Sequence, residues 1–152
     1  MQKVLVKGVI LDQVSDMPFI ILQTEDKKRN ISIGIGPAEA IAIIMALEDM
    51  PAGRPLTHDL LVHFFLLHRF KVEKVEIYEM SGTKYFARLH YRKGFRRYRV
   101  EVRPSDGLAV AVRLNTPIFV KDEIIEAQTN HSGLYESTDF FRGVASDFEF
   151  KN

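Results

Sequence analysis

The sequence predicts an α+β domain. Duplicated βββα units would build a mainly antiparallel sheet with helices on one face, joined by a buried linking helix. Three observations carry this expectation. Two runs of three alternating segments each lead into a helix opened by proline, the second run matches the first in physical role at an offset of 67 residues, and a strongly apolar helical stretch lies between them. A chain of 152 residues with 46% hydrophobic and 27% charged side chains is long enough for one sizeable core and too short for two.

Taken in order, period-two patterning marks strands near 2–14, 18–24 and 29–35, with turns at "SDMP" and "EDKKRN". They read as an antiparallel meander. The stretch "GPAEAIAIIMALEDM" follows as a helix, with Pro37 at its first position and Glu39 in the first turn, where an acid suits the helix dipole. "PAGRPLT" then breaks the chain, and Thr57 is expected to cap a helix over 58–69. That helix is apolar around most of its circumference, which predicts a central or interface position.

The grammar restarts with strands near 71–80, 84–92 and 95–102, a tight turn at Lys93-Gly94, and a helix from Pro104 to Leu114. The 67-residue offset lays Ile31, Ile33 and Ile35 over Tyr98, Val100 and Val102, Pro37 over Pro104, Glu39 over Asp106, and Ala42 over Ala109. Residues 116–127 add a short strand, "PIFV", and a helical turn. The domain is expected to span 1–125. Residues 126–152 read as an acidic and aromatic extension, docked or partly disordered, carrying Tyr135, Phe140, Phe141, Phe148 and Phe150.

Composition narrows the chemistry. There are no cysteines, which removes disulfides, zinc thiolates and thiol nucleophiles together. His58, His63 and His68 recur every five residues, about 140° apart on a helix, so no zinc site is expected. No apolar run approaches the roughly 20 residues of a membrane helix, and the N-terminus lacks a signal-peptide pattern, which predicts a cytoplasmic protein without membrane contact.

Net charge is +1, yet residues 84–103 hold eight basic side chains against one acid, Glu101, while residues 121–152 hold seven acids against three bases. If Tyr85, Ala87, Leu89 and Tyr91 face the core, then Lys84, Phe86, Arg88, His90 and Arg92 point outward, joined by Arg97, Arg99 and Arg103 from the next strand. Such a surface suits a phosphate backbone. A solvated edge, or a mate for the acidic C-terminal segment, would read the same way.

The junction "RPSD", residues 103–106, is the second candidate. Arg103 and Ser105 beside a helix N-terminus suit a phosphate oxygen, and Asp106 suits a metal ion or a water, although ordinary helix initiation selects the same residues. In "GRPLTHDLL", His58 is suited to acid–base work if it lies near Asp106 or Arg103.

"RPLTHDLL", followed some forty residues later by "VRPSDGLAVAVRLNTPIFV" and preceded by "GPAEAIAI", resembles the bifunctional nuclease family over residues 1 to about 125. These are small bacterial and plant domains reported to degrade both DNA and RNA. The resemblance implies a metal-assisted or acid–base phosphodiesterase on a dimeric α+β scaffold, with a small residue where Gly107 stands. Joined to the residue-level reading, it yields a catalytic set of His58, Asp106 and Arg103. Substrate contacts are expected from Arg54, Ser105, Arg88, Arg92, Arg97 and Arg99. A divalent cation, Mg²⁺ or Mn²⁺, is expected on Asp106 with Glu39 or Asp59. The expected partners are DNA or RNA and a second copy of the chain. The rival readings are a non-catalytic nucleic-acid or protein-binding module, and a structural dimer. The nuclease reading also expects the arginine ribbon and the acid at the start of the last helix to share one concave place.

Overall fold

A computed structural model describes residues 1–129. The expectations for Tyr135, Phe140, Phe141, Phe148 and Phe150 lie outside these residues. The elements run β1 Gln2–Leu11, β2 Pro18–Thr24, β3 Asn30–Gly34, α1 Pro37–Leu47, α2 Thr57–Leu67, β4 Lys71–Ser81, β5 Lys84–Lys93, β6 Arg96–Val102, α3 Pro104–Leu114, β7 Ile118–Val120 and α4 Asp122–Thr129. β1 stops at Leu11, short of the expected end, because Asp12 closes a turn. Its carboxylate accepts the Ser15 backbone N–H at 3.2 Å, and its N–H donates to Met17 O at 2.9 Å.

The seven strands form one sheet ordered β3-β2-β1-β7-β4-β5-β6. Both outer trios are antiparallel meanders, and each continues into a helix, so the α+β class and the βββα order stand as expected. β7 lies in the middle, antiparallel to β1 and parallel to β4. The β5–β6 turn places Gly94 at φ +57, with Lys93 facing Arg96. This is the left-handed first position that a two-residue hairpin turn reserves for glycine.

One apolar core fills the space between the sheet and α1, α3 and α4. It includes Val4, Ile20, Leu22, Ile31, Ile33, Ile43, Val75, Ile77, Leu108, Val110 and Ile125. α3 packs between α1 and α2, and its Ser105, Gly107, Leu108, Ala109, Val110 and Ala111 are all buried. Gly107 permits this approach: a Cβ there would lie 3.1 Å from Val75 and 3.2 Å from Val102 side-chain carbons. α3 ends at Asn115 in the left-handed conformation, φ +51, a usual helix stop.

The expected buried linking helix is corrected. Of α2, only Phe65 is buried, while Leu60, Phe64, Leu66 and Leu67 are more than half exposed. The reason is room. α1 and α3 already cover the helix-side face of the sheet, so α2 lies against the flank of α3 and reaches the sheet through Phe65, which meets Phe70 and Tyr91 edge-on. Thr57 is likewise the first helical residue and not the cap; Asp59 accepts the Leu56 backbone N–H at 2.8 Å instead.

α4 closes the open edge of β3. Gln128 accepts the Ser32 N–H at 2.9 Å, donates to Ser32 O at 3.0 Å, and also donates to the Tyr85 hydroxyl on β5. One amide therefore ties two strands that stand far apart in the sheet order, which requires the sheet to curl. Among the described residues no helix is long and apolar enough to cross a membrane.

Candidate active site

α1 and α3 pack together, each entered from the last strand of a meander through a proline at the first position. Neither helix has a side-chain cap, so the first-turn acids Glu39 and Asp106 carry the polar chemistry there. Arg103, at the N-cap of α3, bridges them. Its Nε donates to Asp106 Oδ2 at 2.7 Å, and its Nη2 donates to Asp106 Oδ1 at 3.1 Å and to Glu39 Oε1 at 2.8 Å. His58 arrives from the first turn of α2, with Nε2 3.0 Å from Asp106 Oδ1. Three helices thus converge on one carboxylate.

Exposure grades across the cluster. The His58 and Glu39 side chains are 13% and 15% exposed and Asp106 is 29% exposed, whereas Arg103 is 67% exposed and roofs the acids. Arg103 Nη1 has no protein partner among the described residues. Burial alone would raise the Asp106 pKa, but the hydrogen bonds from Arg103 and His58 outweigh it and hold the carboxyl below its ordinary value of 3.8. Asp106 is therefore an anion at neutral pH.

The remaining candidates divide. Asp59 turns away to Arg113, whose Nε donates to it at 2.7 Å; Arg113 is nearly buried and also donates to Ala109 O, so this pair docks α2 on α3. That hydrogen bond, the largest influence on Asp59, holds its pKa low. Ser105 is buried beside the cluster, and its hydroxyl makes no hydrogen bond to the described residues. Arg54 is exposed on the α1–α2 connection and forms no ion pair with the cluster.

A divalent cation fits this arrangement poorly. The two acids that would ligate it, Glu39 and Asp106, are already held by the guanidinium between them, and Asp59 is committed to Arg113. Among the described residues no group of three His, Cys, Asp or Glu is placed to hold a metal ion.

The arginine ribbon lies elsewhere. Ala87 pairs with Val102, Leu89 with Val100 and Tyr91 with Tyr98 on the helix side, so Arg88, His90 and Arg92, with Arg97 and Arg99, project from the opposite face of the sheet. The expectation that ribbon and acid site share one concavity is therefore corrected. The ribbon is also less positive than its sequence window. Arg88 donates to Glu101 at 2.8 Å and stacks over Tyr78 at 3.6 Å, Arg92 and Arg97 flank Glu73 at 3.0 and 3.8 Å, and His90 lies 2.7 Å from Glu76, which also pairs with Lys74. Two of these acids come from β4, outside the window.

Three further cations, Lys7, Lys28 and Arg29, are not marked as a site in the sequence, and Lys84 is assigned there to the ribbon. Lys7, Lys28, Arg29 and Lys84 line, with Arg103 and Ser105, a groove of about 1210 Å³ that passes over β2 and β3 to the start of α3. Lys28 and Arg29 belong to the basic turn "EDKKRN", which reads in sequence only as a hairpin connection, and Lys7 is isolated on β1.

Comparison with known proteins matches the chain to a family. The model of the bifunctional nuclease domain matches residues 20–132, a span that contains Glu39, His58, Arg103 and Asp106. Two Mycobacterium tuberculosis proteins, one each from strains H37Rv and CDC 1551 and both described only as uncharacterized, are 30% identical over 125 residues, 82% of this chain and 74% of theirs. On the strength of that match, and of motifs that fold into one cluster, the chain belongs to the bifunctional nuclease domain family.

Proposed function

We propose that this protein is a nuclease that hydrolyses phosphodiester bonds of DNA and RNA by acid–base chemistry at His58. The observation that carries the reading is the meeting of His58 and Arg103 on the Asp106 carboxylate. Family membership supports a nuclease-like activity. In the neutral tautomer that donates Nε2–H to Asp106, the His58 Nδ1 holds a lone pair. It takes the proton of the attacking water as the new P–O bond forms and returns it to the leaving oxygen as the old one breaks. Asp106 orients the ring and stabilises the transient imidazolium. Arg103 offers Nη1 to a non-bridging phosphate oxygen, where negative charge builds in the transition state, and Glu39 positions the guanidinium.

The test is cleavage of single-stranded and duplex DNA and RNA by wild type, His58→Ala and Asp106→Asn, with and without chelator. Loss of His58 should lower the rate by about 10²–10⁴-fold, the usual worth of a general acid–base. Chelator should leave cleavage intact, and its abolition would replace this mechanism with a metal-dependent one. Equal cleavage by all three proteins would expose a contaminant and overturn the proposal. Binding without cleavage would favour the alternative, a non-catalytic nucleic-acid-binding module.

The exposed face of α2 supports a homodimer as the working form. Leu60, Phe64, Leu66 and Leu67 lie on one short helix, and Tyr98 and Val100 are also exposed on the β6 edge strand.

A further inference from the structure

We propose that the groove lined by Lys7, Lys28, Arg29, Lys84 and Arg103 is the track for a single-stranded polynucleotide; this deepens, and rests on, the nuclease reading. Four features point to that occupant. All five of these side chains are cationic, and among the described residues no aspartate or glutamate lines the groove, the acids that hold Arg103 lying beneath its guanidinium at one end. On the opposite face of the sheet Arg88, Arg92 and Arg97 each have an acid beside them. A potential of one sign in a concave place concentrates polyanions.

The second feature is the lining itself. Phe19, Ile21, Met80 and Tyr85 lie among the cations, so apolar and aromatic surface for bases adjoins the ammonium groups of Lys28 and of Lys84, the latter 5.3 Å from the centroid of the Phe86 ring. Aromatic faces stack on unpaired bases, and a duplex keeps those faces inside its own stack. Size is the third. At about 1210 Å³ the groove exceeds the roughly 300–1,000 Å³ usual for small-molecule sites and suits several linked nucleotides.

Continuity is the fourth. Arg103, Pro104 and Ser105 line the groove at the start of α3, and Arg103 is the same residue that grips Asp106. Ser105, only 7% exposed, sits beside Arg103 at that end of the groove. A strand lying over β2 and β3 would therefore reach the proposed catalytic cluster. Gly34 and Gly36 line the same stretch and keep the backbone low there.

The experiment is fluorescence anisotropy with a labelled single-stranded oligonucleotide, titrated at several salt concentrations against the full chain. The Lys28→Ser/Lys84→Ser double variant changes two exposed side chains outside the acid–base cluster. It should weaken binding at least tenfold at low salt and flatten the slope of log K against log salt by about 1.4, or roughly 0.7 for each lost single-strand phosphate contact. Phe19→Leu should weaken oligonucleotide binding severalfold and leave inorganic polyphosphate binding unchanged. Arg88→Ser/Arg99→Ser, on the other sheet face, should bind within twofold of wild type.

Unchanged affinity in the groove variant, or an equal loss in the Arg88/Arg99 variant, would overturn the assignment. Equal loss of oligonucleotide and polyphosphate binding in Phe19→Leu would overturn the base-stacking part of it. Repeating the titration with Asp106→Asn separates this proposal from the parent reading. Groove-dependent binding without cleavage by wild type would sink the hydrolase and spare the track, whereas cleavage indifferent to Lys28 and Lys84 would do the reverse.

Discussion

Asp106 receives His58 on one oxygen and Arg103 on both, so its replacement disturbs geometry and charge together. Asp106→Asn keeps the shape but removes the anion. It should cost about 2 kcal/mol of unfolding free energy, in the range of hydrogen bonds to charged groups, measured by urea denaturation at pH 7. Acid should act the same way. A carboxyl held below 3.8 in the folded state adds stability that is fully present above that value and drains away as pH falls through the lower, folded pKa. The stability difference between wild type and Asp106→Asn should therefore shrink below pH 4 and vanish at still lower pH; a constant difference would contradict it. At this scale the sequence was partly legible. The "RPSD" and "THD" motifs named His58, Arg103 and Asp106, because residues that start helices and residues that bind phosphate share a chemistry. Asp59 misled for the same reason: a first-turn acid looks the same in sequence whether it faces a site or an arginine two turns along the neighbouring helix.

Strand and helix periods carried most of the elements, since alternation in β5 and β6 sets which side chains share a face, and that sharing came out as the pattern implied, although Tyr98 and Val100 on the inward side are left exposed. The charge of that face was not legible from the same window. Glu73 and Glu76 come from β4 and meet the arginines only through cross-strand pairing. α2 was legible as a helix but not as an exposed one, because an apolar circumference does not say how much of it the rest of the fold has room to cover. α3 is the opposite case. Gly107 sits where its backbone nearly touches Val75 and Val102, so Gly107→Leu should overpack the helix–sheet contact and cost about 1–3 kcal/mol, whereas Gly107→Ala should be close to neutral, with better helix propensity set against a tight Cβ. Thermal unfolding of the two variants checks the contrast. Loss of the Gln128 amide should act locally. Gln128→Ala leaves Ser32 on the β3 edge unpaired by α4, so hydrogen exchange at Ser32 should speed up while β5 and β6 amides stay protected.

For the molecule as a whole, the apolar face of α2 gives the sharpest expectation. Leu60 and Leu67 are 63% and 66% exposed, and a surface of this kind on a globular domain is usually covered. Sedimentation of the wild type should report a dimer, and Leu60→Lys/Leu67→Lys should shift it to monomer without unfolding; a wild-type monomer at tens of micromolar would remove the homodimer from the proposal. The α+β class was legible because both meanders and both proline-started helices are local patterns. The groove was not, because it gathers residues from β1, the β2–β3 turn, β5 and α3 that become neighbours only when the sheet curls.

The position of β7 carries a consequence for how the chain is made. Three residues, Ile118–Val120, form the seam between the two meanders, and they emerge from the ribosome after the other six described strands. Until they do, β1 and β4 are each an unzipped border, and the halves have no ladder to join them. A free chain truncated after Asn115 would hold two half-sheets with no ladder between them, vulnerable to protease at both borders, and restoring the next few residues would lock them in a single step.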